Sequence, residues 1–142
     1  MSQIGIALSA LGVVLAFMGL FPGITGIITG QGIGIFQFTA VLTGFGLLNL
    51  GALIYVKFTI YAAQASNLAQ QVGIRLALTG LVLAGMAGFA DVLGFGSHGI
   101  TQASETFFGG VQALLVIVCF LISAVGVLIY AVFGAPPPDP EA

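Results

Sequence analysis

From Ile4 to Phe21 the chain runs 18 residues without a charge, and three more stretches follow whose only charges lie near their ends. A helix rises 1.5 Å per residue, so about 20 apolar residues cross a hydrocarbon core about 30 Å thick. The feature is global. Of 142 residues, only Lys57, Arg75, Asp91, Glu105, Asp139 and Glu141 carry a full charge, and 59% are hydrophobic. A soluble domain is about 25% charged because its surface must be wetted. Mean hydropathy is +1.23. Such a chain cannot cover a water-facing surface, and a bilayer is the solvent that suits it. A net charge of -2 offers no basic patch for nucleic acid.

The pattern predicts four spans: Ile4 to Phe21, Ile35 to about Tyr61, Ile74 to about Phe95, and about Phe108 to Phe133. Each is too long for a barrel strand of about 9–11 residues, and none alternates polar with apolar. The fold class expected is an all-α integral membrane protein, a four-transmembrane-helix bundle. Met1-Ser2-Gln3 lacks the positive start of a cleavable signal, so the first segment is expected to stay as a span. Tyr55, Lys57, Tyr61, Arg75 and Tyr130 are read as interfacial anchors. Lys57 and Arg75 flank the connection at 62–73, which the positive-inside rule places on the cytoplasmic or interior side. Both termini then face inward, and the tail at 135–142, with Pro136-Pro137-Pro138, is too proline-rich for a helix.

The chain resembles itself. Gly5 to Phe21 aligns with Gly73 to Phe89, and nine of the 17 pairs are identical: Gly5/Gly73, Ile6/Ile74, Leu8/Leu76, Gly12/Gly80, Val14/Val82, Leu15/Leu83, Ala16/Ala84, Met18/Met86 and Phe21/Phe89. Chance in so biased an alphabet gives roughly two. Gly51 and Leu53-Ile54-Tyr55 match Gly126 and Leu128-Ile129-Tyr130, so the offset grows from 68 to 75. The unit is a two-helix hairpin: 1–61 and 74–134, joined by 62–73. An even number of spans keeps the copies parallel, related by a pseudo-two-fold axis along the membrane normal. Small residues at four-residue spacing mark helix contacts: Gly80, Ala84 and Gly88 in the third span, Gly12 and Ala16 in the first, and Ala40 and Gly44 in the second.

Groups able to do chemistry are few. Gly94-Phe-Gly-Ser-His-Gly99 has the spacing of a dinucleotide fingerprint, but it follows a membrane helix and lacks the acid about 20 residues on. Its glycines suit a turn. Asp91, His98 and Glu105 form the weak candidate set for a metal, since imidazole and carboxylates suit several divalent ions. Their spacings of 7 and 7 match no compact ligand motif. Asp91 is placed near the end of the third span, where a carboxylate either reaches interfacial water or handles ions. Helix four offers it only Gln112 and Ser123 as polar companions. One histidine rules out a bis-histidine haem but leaves room for a pigment or haem ligated by His98 alone. Cys119, alone between Val118 and Phe120, reads as a buried, inert thiol. No cofactor, catalytic residue or small-molecule substrate is expected.

In outline the chain resembles the small multi-span membrane proteins of haloarchaeal pleomorphic viruses. The features carrying the resemblance are size, four spans, acidic balance, scarcity of lysine and the tail Pro138-Asp-Pro-Glu-Ala142. It implies a protein lining the virion's lipid vesicle beneath a separate spike. The function expected is therefore structural and non-enzymatic, with membrane lipid and itself or other membrane proteins as partners. The alternatives are an accessory subunit of a respiratory or photosynthetic complex and, behind it, a small transporter or channel.

Overall fold

A computed structural model describes residues 1–26, 34–62, 64–90, 93–94 and 110–134. Within them lie four α-helices: α1 (Ser2–Leu20), α2 (Ile35–Thr59), α3 (Leu68–Gly88) and α4 (Gly110–Val132). All four are long and apolar enough to cross a membrane. No described residue is in a strand. The fold is that of an all-helical, multi-pass membrane protein.

Local chemistry sets the helix ends. After α1, a single 3-10 turn over Pro22–Thr25 closes on Gly26 at φ 72°, a left-handed conformation that favours glycine. α2 starts where the Gly34 N–H donates to Gln37 Oε1 at 2.6 Å. α3 starts at Leu68, six residues before the expected Ile74, because the polar stretch before it holds a capping box. Asn67 Oδ1 accepts from the Gln70 N–H at 2.8 Å, and Gln70 Oε1 accepts from the Asn67 N–H at 3.2 Å. Residues 68–73, half of the connection expected at 62–73, therefore belong to α3. α3 also ends early, at Gly88 rather than near Phe95. Gln112 Nε2 reaches over from α4 and donates to the carbonyls of Ala87 and Gly88 at 2.9 and 3.2 Å. Those are carbonyls that a helix end leaves unpaired.

α1 packs antiparallel on α2, and α3 on α4; α2 also touches α4 and α3, and α1 is peripheral. Glycine sits at the seam of each pair. A Cβ on Gly5 would stand 2.7 Å from Tyr55 N, and one on Gly12 2.5 Å from Gly44 O. One on Gly19 would stand 2.7 Å from Gln37 O. In the other pair, a Cβ on Gly73 would stand 2.7 Å from Gly126 O, and one on Gly80 2.7 Å from Cys119 O. The neighbours are backbone atoms, so the helices touch main chain to main chain. Lipid tails are as apolar as leucine, and close packing of this kind is what holds helices together in them.

The faces that α1 and α3 bury are built almost wholly of small residues, and much of the surface is large and apolar. Buried positions of α1 and α3 are Gly5, Gly12, Gly19, Gln70, Gly73, Ala77, Gly80, Ala84 and Gly88. Large side chains such as Ile6, Val14, Phe17, Val82, Leu121 and Leu128 point outward and are 54–62% exposed. In water such a surface would aggregate; in hydrocarbon it is the wetted one.

Candidate functional site

The seam between the two hairpins gathers most of the polar side chains that the described helices bury. It has three levels.

At the level of the α2–α3 connection, Val56, Tyr61 and Tyr130 form a buried cluster with Leu53, Ile74 and Ala131 around it. The two tyrosine rings meet edge to face with centroids 6.4 Å apart. Polar bonds tie the connection to the end of α4. Tyr61 Oη donates to the Ala131 carbonyl at 2.9 Å, and Asn67 Nδ2 to the Phe133 carbonyl at 2.8 Å. Lys57 Nζ donates to the Gln64 carbonyl at 2.6 Å. Of the residues read as interfacial anchors, Tyr55 is 38% exposed and Arg75 is exposed, while Tyr61 and Tyr130 are 7% and 2% exposed. These two tyrosines lie in the interior, because each ring covers its partner and the Tyr61 hydroxyl finds an acceptor there. Gln70, 1% exposed, spends its carbonyl on the α3 cap, and its Nε2 has no acceptor among the described residues. Tyr61→Phe is expected to lower stability by about 1 kcal/mol, the usual net worth of one hydrogen bond. Unfolding in mixed micelles would measure it.

At mid-bundle, Asn49 Nδ2 donates to Ser123 Oγ at 2.7 Å, and Ser123 Oγ donates to the Ala77 carbonyl at 2.8 Å. The chain of bonds crosses from α2 through α4 to α3. Asn49 is 5% exposed and Ser123 not at all. The Ser123 hydroxyl both accepts and donates, so the relay ends on a main-chain oxygen and leads nowhere. Its chemistry is that of a fastener.

In the far half of the bundle the seam is aromatic. Phe45 and Phe120 pack at 4.6 Å between centroids, and Phe38 meets Phe89 edge to face at 5.2 Å. The Phe38 ring covers Gly88, where any Cβ would collide with it. Beside these rings lies a cleft of about 360 Å³. Its walls are Ala16 and Leu20 of α1, Phe38, Val41 and Phe45 of α2, and Ala113, Val116, Ile117 and Phe120 of α4.

The other residues singled out from the sequence divide cleanly. Gly12, Ala16, Gly44, Gly80, Ala84 and Gly88 lie at helix contacts: a Cβ on Gly44 would meet the Ala16 backbone, and Ala84 is 0% exposed. The seam has a partly different spacing, because Gly5, Gly12 and Gly19 recur every seven residues, as do Gly44 with Gly51 and Gly73 with Gly80. Cys119 is buried. Asp91, His98 and Glu105 fall outside the described residues, as do most of the outer connections and the tail. Asp91 follows the last residue of α3 by three positions, so the described helix does not carry it. Among the described residues no three His, Cys, Asp or Glu side chains come together as a metal site. Asn49 is the residue that sequence reading missed. An amide in the middle of the long apolar run of α2 is the available signal, since unpaired polar groups are costly in lipid. Compared with protein-family models, with curated proteins and with solved structures, the chain matches none.

Proposed function

We propose that this chain is a structural, non-enzymatic membrane protein: a duplicated helical hairpin whose task is to pack in a bilayer with itself or with other membrane proteins. The observation that carries the reading is the fate of the buried polar groups at mid-bundle. Asn49 and Ser123 are consumed in bonding helix to helix, and Gln112 in closing the end of α3. A transporter needs polar groups left open along a path, and an enzyme needs them aimed at a reacting atom.

Contact register supports the duplication. Gly5 meets Gly51 and Tyr55 as Gly73 meets Gly126 and Tyr130, and Gly12 meets Gly44 and Leu48 as Gly80 meets Cys119 and Ser123. Each pair of equivalents differs by 68 in the first helix and 75 in the second. Phe45 and Phe120, equivalent under the same offset of 75, pack against each other at a tilt. That contact fits a two-fold axis running between α2 and α4 along the membrane normal.

With Lys57 and Arg75 near the α2–α3 connection, this end of the bundle faces the cytoplasm or the vesicle interior, and both termini face the same way. The resemblance to pleomorphic-virus membrane proteins makes a virion or vesicle membrane the proposed setting. Protease added outside sealed vesicles is expected to leave the tail intact; cleavage there would reverse the orientation. The role is tested by isolating the chain in mild detergent and identifying what accompanies it. A major protein of vesicles without a fixed-ratio partner is the expected result. Co-purification at fixed ratio with chains bearing haem or chlorophyll would replace this reading by that of an accessory subunit.

A further inference from the structure

We propose that the cleft between α1, α2 and α4 is a binding site for one hydrocarbon chain of a bilayer lipid. All nine lining residues are apolar, and the volume of about 360 Å³ falls in the range of small-molecule sites. The chemistry of the walls selects the occupant by elimination. Water needs polar partners in such a space, and these walls give it none. A non-helical stretch of polypeptide entering it would leave its N–H and C=O groups unpaired in an apolar surround. A hydrocarbon chain has no hydrogen bond to lose.

Position agrees with composition. Phe38 to Phe45 on α2 and Ala113 to Phe120 on α4 each span eight residues, about 10 Å of helix, starting near the end away from the α2–α3 connection. The cleft therefore runs along the membrane normal within one half of the bilayer, the direction in which lipid chains lie. Packed rings shape it as well. Phe45 and Phe120, in contact with each other, line it together with Phe38, which is held by Gly88 and Phe89. The proposal rests on the four helices crossing a bilayer and not on the structural role argued above.

The sequence contains no tryptophan, so one introduced residue is a clean fluorescent probe. The full chain carrying Phe120→Trp is reconstituted in vesicles of phosphatidylcholine brominated on its acyl chains. Leu121→Trp, at a site 61% exposed, serves as the lipid-facing control. Strong quenching at position 120 is expected, although Phe120 is only partly exposed. Adding Ala113→Phe to fill the cleft should abolish that quenching and leave the signal at position 121 unchanged. Should Phe120→Trp fail to fold, Phe45→Trp reads the same space from the opposite wall. An unquenched probe within the cleft would overturn the proposal, whether a connecting segment or a second copy of the chain fills the space. So would quenching that survives Ala113→Phe.

Discussion

Gly12→Ala is expected to destabilise the bundle by about 1–3 kcal/mol, the cost of overpacking a close contact. The sign is what makes the test sharp. In an exposed helix the same change stabilises by about 1 kcal/mol, because alanine is the better helix former. At Gly12 the added methyl would lie 2.5 Å from both Gly44 O and Leu48 N, and main chain cannot rotate out of the way. Gly80 is expected to behave alike, its methyl standing 2.7 Å from Cys119 O and Ser123 N. Gly46, with nothing within 4 Å of its Cβ position, is the internal control and should gain stability as alanine. The measurement is unfolding in sodium dodecyl sulfate, followed by energy transfer between dyes on the paired helices. A gain at Gly12 would mean that α1 and α2 do not meet through it.

The second large effect concerns the relay from Asn49 through Ser123 to Ala77. Ser123→Ala should cost about 1–3 kcal/mol, because it strands the Asn49 amide in the interior without a partner. Asn49→Leu should cost less. It removes both the donor and its need, and the Ser123 hydroxyl keeps its bond to the Ala77 carbonyl. The double variant closes a thermodynamic cycle with an expected coupling of about 0.6 kcal/mol, the mean for interhelical hydrogen bonds in membranes. Equal costs for the two single variants would show that packing, and not the hydrogen bond, fastens the hairpins at mid-bundle.

Much of the architecture was legible in the chain before any coordinates. Four apolar runs became four helices, since the bilayer permits little else at that length. α3 departs from its expected boundaries at both ends, and for one reason. Asn67 and Gln70 fall in the expected connection at 62–73, and Gln112 reads from the sequence as a polar companion for Asp91; their bonds to main-chain ends instead mark where α3 starts and stops. Side-chain caps are decided by geometry that composition does not carry. Tyr61 and Tyr130 follow the same logic. Tyrosine near a span end predicts a ring at interfacial depth, and its burial against the neighbouring hairpin is what the sequence does not carry. The four-residue glycine pattern found part of the seam, and the seven-residue recurrence completes it. Seven residues are about two helical turns, so these glycines return to nearly the same face. The cleft was illegible, because a void belongs to three helices at once and to no segment.

The pairing of neighbours in the chain, α1 with α2 and α3 with α4, bears on how the molecule is made. Every glycine contact described for the first hairpin joins residues before position 60, so that hairpin holds all its partners before α3 is synthesised. Chains emerge at about 5–20 residues per second, far slower than nearby helices can meet. The ribosome thus releases two hairpins in succession, and the described contacts between them form later, among them the Asn49–Ser123 bond, the tyrosine pair with the Tyr61–Ala131 bond, and the phenylalanine contacts. In arrested chains of increasing length, amide protection of α1 and α2 should already be complete when α4 is still absent.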